Sequence, residues 1–197
     1  IVDQLFELAF LDAVHTGSLR MNGASLAVDA GAMDYVGVNF YGRAYLKTKI
    51  GGFDVKYSDP ERDRGEDVSD VGWTSDEASL TSTLTRFHER YRKPLFVLEN
   101  GVADRHDDDG RRQRGIVRHA QAIWRAVQHH DADVRGYFHW SLLDNFEWAE
   151  GFAPRFGLYA VDYDHEFARR PRKSVDVYKA IASSNAISAE LWRRFRR

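Results

Sequence analysis

The chain has 197 residues, of which 43% are hydrophobic and 29% charged, and it contains no cysteine. This composition excludes a disordered or collagen-like chain. The lack of cysteine excludes a disulfide scaffold, thiolate catalysis and cysteine-ligated metal centres. The 28 basic and 30 acidic residues leave a formal charge of −2, so there is no electrostatic reason to expect a nucleic-acid partner or an anionic membrane. We therefore expect a globular chain that binds neither nucleic acid nor membrane.

The length and the first residue of the chain both bear on whether it is a complete protein. No apolar run approaches the ~20 residues that span a bilayer, and the N-terminus lacks the pattern of a signal peptide, so a cytoplasmic location is expected. The chain begins with Ile1 rather than Met, which suggests a processed or partial product. A complete (β/α)₈ barrel takes ~250 residues. Any barrel in this chain is therefore expected to be incomplete.

The first elements are a helix, a strand and a long loop. Apolar residues from Asp3 to His15 recur at helical intervals and predict a helix that ends at Gly17. The segment 34–41 is rich in β-forming residues without strict alternation, which is typical of a strand buried on both faces. Segment 54–72 contains seven acidic and three basic residues and few apolar ones, which predicts a long surface loop.

A helix and a second strand follow this loop. The residues from Thr74 to Glu77 have the spacing of a capping box, in which Thr74 would cap a helix that ends before Pro94. Residues 95–98 form a continuous apolar strand that leads directly into Glu99. The sequence thus predicts a strand with a carboxylate at its C-terminal end.

The remaining elements continue the alternation of helices and strands. A polar loop from Ala103 to Arg114 precedes an amphipathic helix, and segment 134–141 predicts a third strand. Two more helices are predicted after Pro171 and Ser188. This order indicates an α/β fold with a parallel sheet and helices packed on it.

Polar side chains lie at the ends of all three predicted strands. In parallel α/β folds the loops at the C-terminal ends of the strands converge on one mouth, where reactive groups collect. The carboxylate of Glu99 is therefore a candidate reactive group. Its own strand alone favours the alternative of a structural glutamate that binds a neighbouring arginine or a backbone amide. The polar and aromatic groups at the strand ends are Asn39, Tyr41, Glu99, Asn100, Trp140, Asp144, Asn145, Glu147 and Trp148.

The last of these segments has a composition typical of sugar-binding sites. Trp140 and Trp148 are interleaved with Asp144 and Glu147. Aromatic faces stack on the C–H faces of sugar rings, and carboxylates accept hydrogen bonds from neighbouring hydroxyls. The segment therefore predicts a carbohydrate-binding surface, and the alternative is a pair of core tryptophans with solvated acids.

Three charged or histidine-rich segments are expected to have no chemical role. Residues 107–110 depart from a calcium-loop pattern and predict a solvated turn. The adjacent residues His129 and His130 lack the spacing of metal ligands, and the basic segment 193–197 is typical of a solvated terminal helix. No metal site is predicted.

The strand-end motifs resemble a known enzyme family. Segments 97–101 (VLENG) and 140–152 (WSLLDNFEWAEGF), followed by 155–158 and 161–163, resemble the C-terminal half of family 1 glycoside hydrolases, the β-glucosidase and β-galactosidase family. Segment 34–41 resembles the sixth strand of that family's barrel. The resemblance implies one partial (β/α)₈ TIM-barrel domain over residues 1–197, holding about strands six to eight with their helices. It also implies retaining hydrolysis of β-glycosides without a cofactor.

The resemblance also implies a role for each matching residue. Glu99 corresponds to the nucleophile that forms a covalent glycosyl–enzyme intermediate, and Tyr41 to the tyrosine that orients this carboxylate. Trp73 corresponds to the residue that stacks on the aglycone, although segment 74–78 departs from the family's glutamate-rich, proline-containing helix start. The residues implied to bind the glycone sugar are Asn39, Trp140, Glu147, Trp148 and Phe156.

One essential group of the family is absent from the sequence. Retaining hydrolysis uses two carboxylates ~5–5.5 Å apart, and the family's second carboxylate lies in an Asn-Glu-Pro motif that does not occur in this chain. We therefore expect the chain to be inactive alone and to require the missing N-terminal barrel half. The alternative is a non-catalytic remnant that acts as a sugar-binding or interaction module, including one that self-associates through its open sheet edges. The carboxylate of Glu147 favours non-phosphorylated β-glycosides, and glucosides and galactosides fit equally well.

Overall fold

The computed structural model describes residues 8–21, 24–27, 29–59, 63 and 68–196. No helix within these residues is long and apolar enough to cross a membrane. The elements in chain order are α1 (Ala9–Thr16), β1 (Ser18–Met21), β2 (Ala24–Ala27), β3 (Val36–Asn39), β4 (Tyr45–Lys49), β5 (Gly52–Lys56), α2 (Glu77–Tyr91), β6 (Leu95–Asn100), α3 (Gly110–His130), β7 (Val134–His139), β8 (Tyr159–Asp162), β9 (Ala168–Pro171), α4 (Ser174–Ser184) and α5 (Ala189–Phe195).

The central feature is a parallel sheet of three strands in the order β3-β6-β7. This confirms the predicted parallel sheet and all three predicted strands. The helices α2 and α3 pack against each other and against the sheet. Most of the main core comes from β3, β6, α2 and α3, and Val134 and Tyr137 of β7 pack against it. The buried members are Leu8, Met33, Val36, Val38, Phe40, Leu80, Leu84, Phe87, Tyr91, Leu95, Val97, Ala122, Ala126 and Ala132.

Only one face of the sheet is covered. On β3, Val36 and Val38 are buried against the helices, whereas Gly37 and Asn39 are exposed. The prediction that this strand is buried on both faces is therefore wrong. Leu98 and Phe138, on the neighbouring strands, are also substantially exposed. The physical reason is that three strands cannot close over their own inner face, so the apolar residues there have no opposing layer.

An antiparallel hairpin replaces part of the predicted loop. Strands β4 and β5 pair from Tyr45 opposite Lys56 to Lys49 opposite Gly52, with a turn at Ile50 and Gly51. Gly51 has a φ of 83°, which favours glycine. The prediction of a loop from residue 54 is therefore wrong for the end of β5. Within the remainder of that loop, residues 60–62 and 64–67 lie outside the described residues.

The helix boundaries differ from the prediction at the N-termini of α2 and α3. The part of the first helix before residue 8 lies outside the described residues, although its end at Gly17 is confirmed. The N-cap of α2 is Asp76, whose side chain accepts a hydrogen bond from the Ser79 amide (3.0 Å), and not Thr74. Helix α3 begins at Gly110 rather than after Arg114. The two C-terminal helices are confirmed, and the β8-β9 pair that precedes them was not predicted.

The turn before α3 is solvated at Asp107 and Asp108, as predicted, but its third aspartate is buried. Asp109 and Arg112 are both fully buried and form an ion pair. Arg112 also donates to the carbonyl oxygens of Asp104 (2.7 Å) and Arg155. The second Asp109 oxygen accepts a hydrogen bond from the Ser174 amide at the start of α4 (2.9 Å). The expectation of a solvated turn is therefore wrong for Asp109, which instead joins α3 to α4.

The buried residue His119 on α3 gives a pH-dependent prediction. Its Nε2 atom lies 3.1 Å from the Ser75 hydroxyl, and burial lowers the pKa of the His119 imidazole to about 4. In the unfolded chain the His119 imidazole has its ordinary pKa of about 6.5, so it gains a proton as the pH falls through that value. The neutral imidazole therefore stabilises the fold fully above that pH, and this contribution is lost as the pH falls towards 4.

We expect His119→Gln to weaken the acid dependence of stability. Between pH 7 and 4.5 the parent chain should lose about 2–3 kcal/mol more of its free energy of unfolding than the variant. Urea unfolding of both proteins at the two pH values measures this difference. An equal loss in both proteins would contradict the assignment of the buried neutral imidazole.

Candidate active site

The carboxylate of Glu99 lies at the C-terminal end of the middle strand. The pairing of β3 with β6 shifts by one residue after Val38, so that Asn39 pairs with Glu99. An irregularity of this kind changes the direction of the side chains next to it. The Phe40 amide donates to the Glu99 carbonyl (2.9 Å), which carries the pairing beyond the strand end. Glu99 and Asn39 are thus neighbours at one edge of the sheet.

A tyrosine hydroxyl binds the Glu99 carboxylate. Tyr41 donates its O–H to Glu99 Oε2 at 2.7 Å. Burial raises the pKa of the Tyr41 hydroxyl strongly, and the hydrogen bond to Glu99 and the charges of Glu99 and Glu147 raise this pKa further. The hydroxyl therefore stays protonated throughout the ordinary pH range. It acts as a permanent hydrogen-bond donor that orients the carboxylate.

Aromatic rings surround this pair. The Tyr41 ring lies 5.3 Å from the Trp73 ring and 6.0 Å from the Phe156 ring, which is nearly perpendicular to it. The Trp73 and Phe156 rings are 6.3 Å apart. The Trp73 amide donates to the Ser69 hydroxyl (3.1 Å), which holds the loop in place. The three rings form an apolar wall beside the carboxylate.

A second carboxylate is held by Trp140. The Trp140 indole N–H donates to Glu147 Oε1 at 3.1 Å. The Trp140 amide donates to the Asn100 carbonyl (2.9 Å), and the next amide, of Ser141, donates to the Phe156 carbonyl (3.2 Å). These backbone bonds place Trp140 between the end of β6 and the aromatic wall. The indole, the carboxylate of Glu147 and the wall therefore belong to one site.

The strand ends are joined so tightly that one position requires glycine. A β-carbon on Gly101 would lie 1.8 Å from the Trp140 carbonyl oxygen. Next to it, the buried amide of Asn100 donates to the Phe40 carbonyl (2.7 Å) and accepts from the Tyr137 hydroxyl (3.0 Å). Asn100 thus connects all three strands, which fixes the positions of the site residues that follow them.

The structure does not bring every predicted residue into this site. Asp144 is buried in a bidentate ion pair with Arg172, with both N–O distances at 2.9 Å, and accepts a hydrogen bond from the Gly157 amide. Its predicted part in a sugar-binding surface is therefore wrong, because Arg172 occupies both of its oxygens. Trp148 follows Glu147 in a 3₁₀ turn and is 84% exposed, so its part in the site stays a prediction.

One aromatic residue next to the site was not predicted. The Tyr57 ring lies 6.3 Å from the Trp73 ring, and the Tyr57 carbonyl accepts a hydrogen bond from the Thr74 amide (3.2 Å). The alternation of Phe53, Val55 and Tyr57 is the signal that identifies this strand in the sequence. Within the part of the chain that the structure describes, no group of three or more histidine, aspartate or glutamate side chains is placed to hold a metal ion.

The fold and the sequence are both similar to known β-glycosidases. The sequence profile of glycosyl hydrolase family 1 matches residues 15–187. The β-galactosidase of Saccharolobus solfataricus is 38% identical over 194 residues, which cover 92% of this chain and 38% of the relative. The β-galactosidase of Sulfolobus acidocaldarius is 35% identical over 201 residues, covering 97% of this chain and 40% of the relative. The chain thus spans about two fifths of the length of these relatives.

The solved structures agree with the sequence matches. The β-glycosidase from Pyrococcus horikoshii superposes with a TM-score of 0.86 at 38% identity, over 98% of this chain and 45% of that one. The β-glycosidase from Thermosphaera aggregans gives a TM-score of 0.83 at 32% identity, over 98% and 41% of the two chains. These neighbours are TIM barrels, and this chain corresponds to a part of such a barrel. The chain belongs to glycosyl hydrolase family 1.

Proposed function

We propose that this chain carries the nucleophile and much of the glycone site of a retaining β-glycosidase. The observation that carries the proposal is the hydrogen bond from Tyr41 to Glu99, made where the middle parallel strand ends. Barrel enzymes place their reacting groups at these strand ends. The residues 1–197 are then one partial (β/α)₈ domain, and β3, β6 and β7 are strands six to eight of the barrel.

The proposed reaction begins with attack on the sugar by Glu99. One carboxylate oxygen forms a bond to the anomeric carbon as the bond to the leaving oxygen breaks, which gives a covalent glycosyl–enzyme intermediate. The hydroxyl of Tyr41 holds the other oxygen and keeps the carboxylate in line. A second carboxyl group, protonated at this stage, gives its proton to the leaving oxygen and, as the resulting carboxylate, later takes a proton from the attacking water. No Asn-Glu-Pro motif supplies this group here, so we assign it to the barrel half outside this chain.

The remaining site residues are proposed to bind the substrate. Trp140 supports the glycone ring, and Glu147, fixed by the Trp140 indole, accepts hydrogen bonds from the sugar hydroxyls. Its negative charge favours neutral β-glycosides over phosphorylated ones. Trp73 is proposed to stack on the aglycone. The proposed glycone contacts also include Asn39, Trp148 and Phe156.

The uncovered sheet face supports the proposal of a missing barrel half. Leu98 and Phe138 are exposed on the face opposite the helices, where a complete barrel buries its interior side chains. Strands β3 and β7 are the two edges of the sheet. We therefore propose that the chain is inactive alone and that further strands pair with these edges. Self-association of two copies through the same edges is the alternative.

Complementation tests this proposal. The chain would be mixed with the part of the Saccharolobus solfataricus β-galactosidase that lies outside the matched region. We call this mixture the reconstituted enzyme. We expect hydrolysis of 4-nitrophenyl β-glucoside or β-galactoside by the mixture and not by either part alone. Sedimentation of the chain alone distinguishes self-association. Turnover by a dimer of this chain would contradict the need for a second half, and a mixture that assembles without any turnover would contradict the proposed function.

A further inference from the structure

A cavity outside the candidate active site lies against the β8-β9 pair. Its volume is about 500 Å³, which is the size of sites that hold small molecules. Three segments line it, namely residues 105–107 after β6, residues 160–164 of β8 and the following turn, and residues 170–173 between β9 and α4. Asp144 and Arg155 complete the lining. None of the residues to which the proposed function gives a role lines this cavity, so it is a separate place in the structure.

Arg155 gives the cavity a fixed cation with unused donors. Its guanidinium carbon lies 4.8 Å from the centre of the Tyr163 ring, a contact that holds the side chain in place. Its Nη1 atom lies 3.4 Å from Asp144 Oδ2 and 3.4 Å from the Val161 carbonyl oxygen, and both of these hydrogen bonds are long. Among the described residues, Nε and Nη2 of Arg155 have no hydrogen-bond partner. Because the side chain is 30% exposed, these donors are left to water or to a ligand.

Three exposed cations line the same cavity. Arg170 and Lys173 form no ion pair with any acidic side chain in the described part of the chain. Arg105 is exposed as well, and it pairs with Asp70 at 3.1 Å. The cavity therefore combines one fixed guanidinium with cationic side chains that come from two other segments.

The acidic side chains of the cavity are either paired or solvated. Both oxygens of Asp144 are bound by the bidentate ion pair described above, and Asp162 accepts a hydrogen bond from the His165 ring (3.0 Å). The other two acids, Asp107 and Asp164, are exposed on turns, where water solvates them. These carboxylates are also not part of any group of three that could hold a metal ion in the described ranges. The partly buried charge that lacks a close partner is therefore positive.

We propose that this cavity binds a small organic anion with two or three oxyanion groups, such as a tricarboxylate. The planar guanidinium of Arg155 binds one of these groups through two parallel hydrogen bonds. Arg170 and Lys173 bind a second group. A single oxyanion is much smaller than the cavity, whose volume suits a molecule that carries several. Carboxylate and phosphate groups share this binding chemistry, and the choice of ligands in the experiment distinguishes them.

Titration calorimetry on the whole 197-residue chain with citrate at pH 7 tests the proposal. Acetate, which has one carboxylate, is the matched ligand control, and pyrophosphate represents the phosphates. Ionic strength is held constant, because salt screens all of these interactions.

Three variants assign the binding to the cavity. Arg155→Gln removes the fixed guanidinium. The cavity double variant, Arg170→Gln/Lys173→Gln, removes two exposed cations that have no ion pair, so it leaves the fold intact. The control double variant, Arg169→Gln/Lys179→Gln, makes the same change of charge at two exposed positions that do not line the cavity.

We expect the parent chain to bind citrate about tenfold or more tightly than acetate, because the additional carboxylates bind additional cations. Arg155→Gln and the cavity double variant should each weaken citrate binding by about tenfold or more, and the control double variant should bind citrate as the parent does. Competition by pyrophosphate would include phosphates among the ligands of the site, and a lack of competition would restrict the site to carboxylates. Both results support the site.

Three outcomes would overturn the proposal. The first is equal affinity of the parent chain for citrate and acetate. The second is citrate binding that is unchanged in the cavity double variant, which decides the matter even if Arg155→Gln fails to fold. The third is an equal loss of citrate binding in the two double variants, which would show a general effect of charge.

The outcome for this cavity is separate from that for the proposed function. Citrate binding that is lost in the cavity double variant supports the site whether or not the reconstituted enzyme hydrolyses a β-glycoside. Hydrolysis by the reconstituted enzyme, with no citrate binding by the chain, overturns the site and leaves the function intact.

Discussion

Replacing Glu99 with glutamine is expected to abolish turnover by the reconstituted enzyme. Glutamine keeps the shape of the side chain and its hydrogen bond to Tyr41, but it lacks the charge and lone-pair reactivity of a nucleophilic carboxylate. We expect kcat for an aryl β-glycoside to fall by about 10⁴-fold or more, the scale seen when a nucleophile is removed. Steady-state kinetics on the purified variant measure this loss.

Two further variants distinguish the loss of the nucleophile from the loss of its hydrogen bond and from the effect of a Glu-to-Gln change elsewhere. Tyr41→Phe keeps the nucleophile and removes its hydrogen bond, so we expect a smaller fall in kcat/KM of about 10- to 100-fold, the equivalent of one hydrogen bond to a charged group. Glu89→Gln makes the same chemical change at an exposed position on α2 and should leave the rate unchanged. A loss in Glu99→Gln no larger than that in Tyr41→Phe would contradict the assignment of Glu99 as the nucleophile.

Replacing Arg112 with leucine is expected to cause the largest loss of stability. Arg112 is fully buried, pairs with Asp109, and donates to the Asp104 and Arg155 carbonyls. Burial already raises the pKa of the Asp109 carboxyl, and without Arg112 its charge would be uncompensated. Breaking a buried pair in this way costs about 3–5 kcal/mol. A fall in Tm of about 10 °C is expected from a chain of this size.

Arg105→Leu is the matched control for that variant. The Arg105 side chain is 60% exposed and pairs with Asp70 at 3.1 Å, and exposed pairs contribute about 0–1 kcal/mol. Adding Asp109→Asn to Arg112→Leu should recover part of the lost stability, since it removes the unpaired charge. Urea unfolding of the set checks both expectations. Equal losses in the two arginine variants would show that the buried pair has no special role.

The residues predicted best are those whose position follows from the topology. Glu99 and Tyr41 are 58 residues apart in the sequence, yet Glu99 lies near the end of β6 and Tyr41 just after β3, and these parallel strands are neighbours in the sheet. The C-terminal ends of such strands meet at one edge. The identity of the chemistry came from the resemblance of segments 97–101 and 140–152 to a known family, and not from the strand pattern alone.

The errors arose where burial depends on residues far along the chain. Three consecutive aspartates look like a solvated turn, but Arg112 and the start of α4 close over Asp109. In the same way, Asp144 has the local context of a sugar ligand, and Arg172, 28 residues later, binds both of its oxygens. The composition of a short sequence segment contains no information about partners that lie far along the chain.

The hairpin was missed for a different reason. Its two glycines at 51 and 52 are a turn signal between β-rich segments, but the acidic composition that begins at Asp54 predicts one continuous loop. That prediction takes no account of the alternation of Phe53, Val55 and Tyr57. The loop prediction therefore omits Tyr57, the aromatic neighbour of Trp73.

The central claim is that Glu99 forms a covalent bond to the sugar. The direct test is to incubate the reconstituted enzyme with an activated 2-fluoro β-glucoside, which slows the release of the intermediate, and to measure the intact mass of this chain. The account predicts a mass increase of one fluoroglucosyl group, located on the peptide that contains Glu99 and absent in Glu99→Gln. An unmodified chain, or an adduct that persists in Glu99→Gln, would contradict it.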